Sequence, residues 1–332
     1  MGPRAIVRQL LAGRSREPGP PAAAWAPANL ALCKYWGKRD ARLNLPVTAS
    51  LSISLGPLGT NTEVRAAPDA RDDVSLNDRR LSPADPFCQR LSAFLDLFRP
   101  RGLGFRIATA NTMPTGAGVA SSASGFAALT LALNDFFGWE LDRRRLSILA
   151  RLGSGSACRS LYDGFVLWRT GRRPDGLDSV AVPLAARWPD LRVGLVLVTA
   201  APKPVSSRAA MAHTVRTAVA YRAWPARAAA DLRALRRAIA ARDFARFGAV
   251  AESNALAMHG LLLDARPPAL YWQPGTVAAI RRVWALRADG VPVYLTIDAG
   301  PNVKLLFPTG ASRAIRRAFP AVRIVSPFAG LT

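Results

Sequence analysis

The sequence predicts an α+β protein of two lobes, and three observations carry that reading. From Val47 the run Val-Thr-Ala-Ser-Leu-Ser-Ile-Ser-Leu alternates with the two-residue period of a half-buried strand, and further strand-like pieces follow it. After Pro204 the character changes to long Ala/Arg-rich helices. Short strands then return towards the C-terminus, and no internal repeat relates the two parts. The chain therefore divides somewhere near residues 186–204, with an N-terminal lobe expected over 23–190 and a C-terminal lobe over 191–332.

Residues 1–22 are basic and then Pro/Gly-rich, and they read as a short disordered tail. Their apolar part, residues 5–12, is too brief for the hydrophobic core of a targeting signal. Strands are expected at 47–55, 62–66, 74–76 and 104–109, and a helix at 86–98, just before Pro100. A small-residue segment over 114–125 leads into a helix at 126–137. Asp142 is placed to cap the helix at 143–151 by accepting from its first free amides. Strands at 164–169 and 191–199 bracket a loop at 172–178. Helices are expected at 207–219, 226–241, 244–263 and 275–288. They are followed by a strand at 291–297, the turn Asp298-Ala-Gly-Pro-Asn302, a strand from Val303, a helix at 312–318 and a last strand at 322–325.

Composition narrows the function. Of 332 residues, 50% are hydrophobic and 20% charged, so a packed core forms and global disorder is excluded. No apolar run approaches the roughly 20 residues of a membrane span, and no membrane partner is expected. Three cysteines and two histidines are too few and too scattered for a disulfide framework or a zinc cluster, and they disfavour a Ser-His-Asp triad. A reducing, cytoplasmic setting is expected. The net charge of +23 is compatible with nucleic acid, an anionic membrane or anionic substrates. The basic residues are nevertheless spread along the whole chain and nearly all are arginine, the pattern of solvated helix faces. Only four are lysine, and two of these, Lys34 and Lys38, share one five-residue segment. A compact ammonium and a planar guanidinium are not interchangeable at a phosphate, which makes that pair notable.

Three segments bear chemistry. The stretch Pro114-Thr-Gly-Ala-Gly-Val-Ala-Ser-Ser122, opening a helix, suits a phosphate cradle of backbone amides and hydroxyls, or equally a tight helix packing. In Arg151-Leu-Gly-Ser-Gly-Ser-Ala-Cys-Arg-Ser160, two serines and Arg159 converge on one anion if a helix opens at Ala157; otherwise the segment is a plain turn. Asp298, at the end of an apolar strand, is either a general base or a turn-forming residue. Cys33 and Cys158 read as small core residues, and His259 as a hydrogen-bonded core histidine.

Read jointly, these pieces are specific. Ala26-Pro-Ala-Asn-Leu-Ala-Leu-Cys-Lys-Tyr-Trp-Gly-Lys-Arg-Asp40 closely resembles the N-terminal signature of the mevalonate diphosphate decarboxylases, a branch of the GHMP small-molecule kinases. The resemblance continues at 45–46, 50–52, 114–125, 153–162, 206–211, 253–259, 267–268 and 298–302. It implies a lobe like ribosomal protein S5 domain 2 followed by a ferredoxin-like lobe, with the active site between them. It also implies ATP-dependent conversion of mevalonate 5-diphosphate to isopentenyl diphosphate, with Mg²⁺ as cofactor, no nucleic-acid partner and a homodimeric assembly. Residue by residue, it implies Asp298, Lys34, Arg159 and Asn29 as catalytic. It implies Tyr35, Lys38, Ser154, Ser156, Arg159, Arg208 and Met211 around the substrate. Pro114, Gly116, Ala117, Gly118, Ala120, Ser121 and Ser122 would face ATP, with Ser122 near the metal. Departures from the family pattern are Thr48-Ala49-Ser50, Asp163, Leu177 and Ala210. Sister enzymes act on the monophosphate or only phosphorylate mevalonate, and these are the alternative reading. A non-enzymatic nucleic-acid binder leaves the anion-site segments unexplained.

Overall fold

The computed structural model describes residues 1–112, 121–201 and 203–329. It opens on helix α1 (Pro3–Leu10), which corrects the expectation of a disordered tail. Arg4 and Arg8 face solvent while Ile6 and Val7 are both at 0% exposure, so one narrow apolar stripe anchors a segment whose composition reads as polar. Ile6 packs with Leu43, Leu45, Ile148 and Val180. The stretch after α1 is tied down as well: the Trp139 indole N–H donates to the Ser15 carbonyl at 2.9 Å, and the Gly19 amide donates to the Phe136 carbonyl at 2.9 Å.

The N-terminal lobe contains β1 (Ala22–Cys33), β2 (Lys38–Asp40), β3 (Leu45–Pro46), β4 (Ser50–Ala66), β5 (Asp73–Leu76), β6 (Arg79–Arg80), α2 (Pro86–Leu95), β7 (Phe105–Asn111), α3 (Ser121–Phe136), α4 (Arg143–Gly153), β8 (Phe165–Trp168) and β9 (Ala181–Pro183). Its main sheet runs β6-β5-β7-β4-β8-β9, with β1 also paired to β4. Asp142 caps α4 as expected, accepting from the Arg145 amide at 2.8 Å.

Two strands depart from the sequence reading. β1 was not anticipated, because its last eight residues are buried on both faces and carry no alternation. The strands expected at 47–55 and 62–66 are one 17-residue strand, β4. Gly56, at φ +58°, bends it without ending it, and the register against β1 moves from Ser54 opposite Asn29 to Gly59 opposite Pro27. The polar half of the β4 alternation is not solvated either, since Ser50, Ser52 and Ser54 are all buried.

The C-terminal lobe contains β10 (Leu191–Val196), α5 (Ser207–Thr217), α6 (Trp224–Ala241), α7 (Phe244–Asp264), α8 (Pro274–Ala288), β11 (Tyr294–Ile297), β12 (Val303–Pro308), α9 (Ser312–Ala318) and β13 (Arg323–Val325). Its antiparallel sheet runs β11-β12-β10-β13. One hydrophobic core joins the lobes: Leu30, Leu51 and Ile53 pack with Trp224 and Leu235 of α6, Phe247 and Met258 of α7, and Val193 and Leu306 of the second sheet. Among the described residues, no helix is long and apolar enough to cross a membrane.

The α1 anchor predicts a stability effect far from the cleft. Ile6→Ala should lower the unfolding free energy by about 2–4 kcal/mol in chemical denaturation. A value near zero would mean that the segment is the detached tail its composition suggests.

Candidate active site

Between the lobes lies a cleft of about 560 Å³. β1 and the turn after it contribute Asn29, Lys34 and Tyr35, and the start of β2 contributes Lys38. The 3₁₀ segment Gly155–Leu161, following α4, contributes Ser156 and Arg159, with Ser154 just before it. The N-terminal turn of α5 contributes Arg208 and Met211, and the turn after β11 contributes Asp298. Ser122, on the first turn of α3, also faces the cleft. Pro114, Gly116, Ala117, Gly118 and Ala120 lie outside the described residues.

Asp298 is the electrostatic centre. Its carboxylate accepts from Lys34 Nζ at 2.8 Å, and Lys304 Nζ stands 3.9 Å away. Lys203 lies over the same turn, where a Cβ on Gly300 would come 3.6 Å from its Nζ. Burial pushes the Asp298 carboxyl up, but the charges of Lys34, Lys304 and Lys203 outweigh this and hold it below its ordinary range, ionised. Burial lowers Lys34 despite the ion pair, and it brings Lys304 down to about 8. The Lys34 ammonium also donates to the Ala31 carbonyl at 2.8 Å.

A second cationic group sits deeper. Arg159 is 2% exposed, and its partners are neutral: Nη1 donates to Ser50 Oγ at 2.6 Å and Nη2 to Asn29 Oδ1 at 3.3 Å. Asn29 is oriented in turn by donating to Ser160 Oγ at 2.7 Å. Among the described residues, Arg159 Nε and the Tyr35 hydroxyl are buried without a hydrogen-bond partner. Leaving such groups unpaired costs about 1–3 kcal/mol each, and such a cost marks a site that a ligand completes. Gly155 permits the arrangement, because a Cβ there would come within 2.8 Å of the Tyr35 ring. Lys38 donates to Asn44 Oδ1 at 2.7 Å, and burial together with the charge of Arg208 brings it down to about 8. An anion bound beside Lys38 and Arg208 would relieve that repulsion.

Sequence reasoning missed Lys203, Lys304 and Ser50. The signal existed for the lysines. All four in the chain gather at this cleft, so the rarity that singles out Lys34 and Lys38 applies equally to the other two. For Ser50 the signal was its place in the matched segment 50–52, but its contact with Arg159 arises from the burial of the polar face of β4. Cys33 and Cys158 are buried, and burial pushes both thiols up to about 12, in keeping with core residues. His259 donates Nε2–H to the Asp298 carbonyl at 3.1 Å, the tautomer being fixed because a carbonyl only accepts.

Burial drives the His259 imidazole from 6.5 down to about 4. The unfolded chain therefore takes up this proton first as the medium is acidified. Stability present above pH 6.5 is lost on descent towards about pH 4, by up to about 3 kcal/mol. Denaturation near neutrality and in mild acid should show this loss, and His259→Gln should diminish it. An undiminished loss in that variant would assign the acid sensitivity elsewhere.

Comparison with known proteins agrees with this geometry. Residues 26–181 match the family described as diphosphomevalonate decarboxylase-like N-terminal domain, and residues 193–323 match the mevalonate 5-diphosphate decarboxylase C-terminal domain. The diphosphomevalonate decarboxylase of Bos taurus is 38% identical over 89% of this chain and 80% of its own length. That of Candida albicans is 36% identical over 86% and 84% respectively. The crystal structure of mevalonate diphosphate decarboxylase from Staphylococcus aureus superposes with a TM-score of 0.87 at 35% identity, covering 92% of this chain and 95% of that one. A structure of the protein designated MDDEF, in complex with MVAPP, AMPPCP and magnesium, gives 0.85 at 37% identity, covering 92% and 96%. Two adjoining family matches, relatives of this similarity and the cleft described above lead to one conclusion: the chain belongs to the diphosphomevalonate decarboxylase family and has its two-lobed GHMP kinase fold.

Proposed function

We propose that this protein catalyses the ATP-dependent decarboxylation of mevalonate 5-diphosphate to isopentenyl diphosphate, releasing ADP, phosphate and CO₂. The observation that carries the reading is the charge layout of the cleft. Three lysines, Lys34, Lys203 and Lys304, gather at the cleft's one lining carboxylate, Asp298, while Lys38, Arg159 and Arg208 line the same cleft, where buried donors stand unpaired among the described residues. A substrate with a diphosphate and a carboxylate, together with the ATP phosphates, supplies the anions that such a site lacks.

Within this reading each chain residue has a chemical task. Tyr35, Lys38, Ser154, Ser156 and Arg208 would hold the diphosphate, with Met211 packing beside it. Arg159 would grip a carboxylate through its planar fork. Asp298, kept ionised, would orient the 3-hydroxyl and take its proton. A carboxylate of depressed pKa is a weak base, but it suffices once the new P–O bond makes that proton acidic. The same charge would favour departure of phosphate from a tertiary carbon, where positive charge develops. Lys34 and Lys203 would neutralise the transferring phosphoryl group.

The donor set also fits Mg²⁺ carried on the nucleotide phosphates. Among the described residues, no cluster of three or more His, Cys, Asp or Glu side chains could hold a metal by itself. Ser122 would offer a hydroxyl, and the ion when bound would offset phosphate charge. The expected setting is the cytoplasm and the expected assembly a homodimer, the latter measurable by sedimentation.

Three outcomes follow. With mevalonate, its 5-phosphate and its 5-diphosphate offered in turn, kcat/KM should be highest for the diphosphate, with CO₂ and ADP released in equal amounts. ADP without CO₂ would mark a kinase instead. Arg159→Lys should lower kcat/KM by at least about tenfold, because the donors of an ammonium radiate from one atom and cannot span the separate positions that the planar fork reaches at Ser50, Asn29 and a ligand. Asp298→Asn should lower kcat by at least about a hundredfold. It should also lower the thermal midpoint at neutral pH, since Lys34 loses its counter-charge. That deficit should shrink as pH rises: the folded variant binds fewer protons than the unfolded chain, so its stability grows with pH. Retention of more than about a tenth of kcat would reduce Asp298 to a turn residue.

A further inference from the structure

The two members of the Lys34–Asp298 pair come from different lobes, and helix α7 touches the backbone of both. Lys34 follows β1 in the N-terminal lobe, and Asp298 follows β11 in the C-terminal lobe. Asn254 Oδ1 accepts from the Lys34 amide at 2.8 Å, and His259 Nε2–H donates to the Asp298 carbonyl at 3.1 Å. The two side chains are five residues apart on α7, so they point about 140° from one another and reach separate segments. Asn254 is 0% exposed and His259 3%. Neither lines the cleft.

We propose that Asn254 and His259 are positioning residues for the reaction, and that α7 sets the approach of the Lys34 ammonium to the Asp298 carboxylate through these two hydrogen bonds. The inference rests on the catalytic reading of Asp298 given above. Each residue is itself held in one orientation. The second amide atom of Asn254 donates to Asp231 Oδ2 at 2.8 Å, which fixes which end faces Lys34, and Arg227 stands 3.8 Å from that carboxylate. His259 lies against Trp272 at 5.2 Å and edge-on to Tyr271 at 6.5 Å, so its ring has little room to turn. Apolar contacts alone would leave the seam free to adjust by fractions of an ångström. A displacement of about 1 Å at a reacting group costs as much as a hundredfold in rate. Directional hydrogen bonds from one rigid helix to both main chains remove that freedom.

The test compares amides of two lengths at one position. In His259→Gln the terminal amide nitrogen reaches the place of Nε2, whereas in His259→Asn it falls short by one bond. We expect His259→Asn to lower kcat at least about tenfold while the KM values for substrate and ATP change by less than about threefold, and His259→Gln to restore most of the loss. In an Asp298→Asn background, His259→Asn should have almost no further effect, because its influence passes through Asp298. Asn254→Leu, of similar size but without either hydrogen bond, should reproduce the kcat loss through Lys34, and it serves as the second variant should His259→Asn not fold. Wild-type kcat in both His259→Asn and Asn254→Leu would overturn the inference while leaving the function intact. An equal loss from His259→Asn with or without Asp298 would overturn it as well. Should Asp298→Asn itself remain active, the catalytic reading falls, and this inference falls with it.

Discussion

The ion pair between Lys34 and Asp298 is the interaction on which the rest of the site depends. A buried ammonium without a counter-charge is one of the costliest features a protein can carry, and this cleft has several cations at close quarters. Asp298 neutralises the nearest of them and remains ionised because of them. The arrangement leaves a net positive surplus in a partly enclosed volume, which attracts phosphate esters and strengthens each contact with them. Its cost appears as lowered lysine pKa values and as hydrogen-bonding groups without partners. Function at this cleft is thus stored as incomplete stabilisation, compensated by packing elsewhere.

That compensation has a definite location. The N-terminal sheet and the second sheet do not merely abut. α7 lies against both, α6 packs on α7 and the N-terminal sheet, and all share one apolar core, so the lobes meet through buried side chains rather than through a wet interface. A site at such a seam can draw one charged partner from each lobe and still hold them at hydrogen-bond distance. The turn after β11 is fixed by the sheet on one side and α7 on the other, and the turn after β1 by β4 and the same helix.

Within the N-terminal lobe the polar half of β4 has an unexpected place. Serines that alternate with apolar residues ordinarily face water. Here Ser50 is buried and accepts from Arg159, so the strand presents a hydroxyl to the guanidinium while Leu51 and Ile53 fill the shared core. Period-two patterning states which residues share a face, but not what covers that face.

By itself the sequence determined the local elements and the chemical inventory. The Asp142 cap, the helices beyond Pro204, the turn at Gly300-Pro301 and the segments bearing Lys34, Arg159 and Asp298 depend on nearest-neighbour propensity, capping and glycine placement, all of which are written along the chain. Only the tertiary structure decided which of these segments meet. The burial of β1 on both faces, the continuity of β4 through Gly56 and the docking of α1 depend on what packs against each surface. Lys203 joins Asp298, and Asn254 and His259 join the backbones of the ion pair, across separations of tens to hundreds of residues. No local pattern encodes such distances. They are set when the apolar faces of two sheets close on one helix, α7, within a shared core.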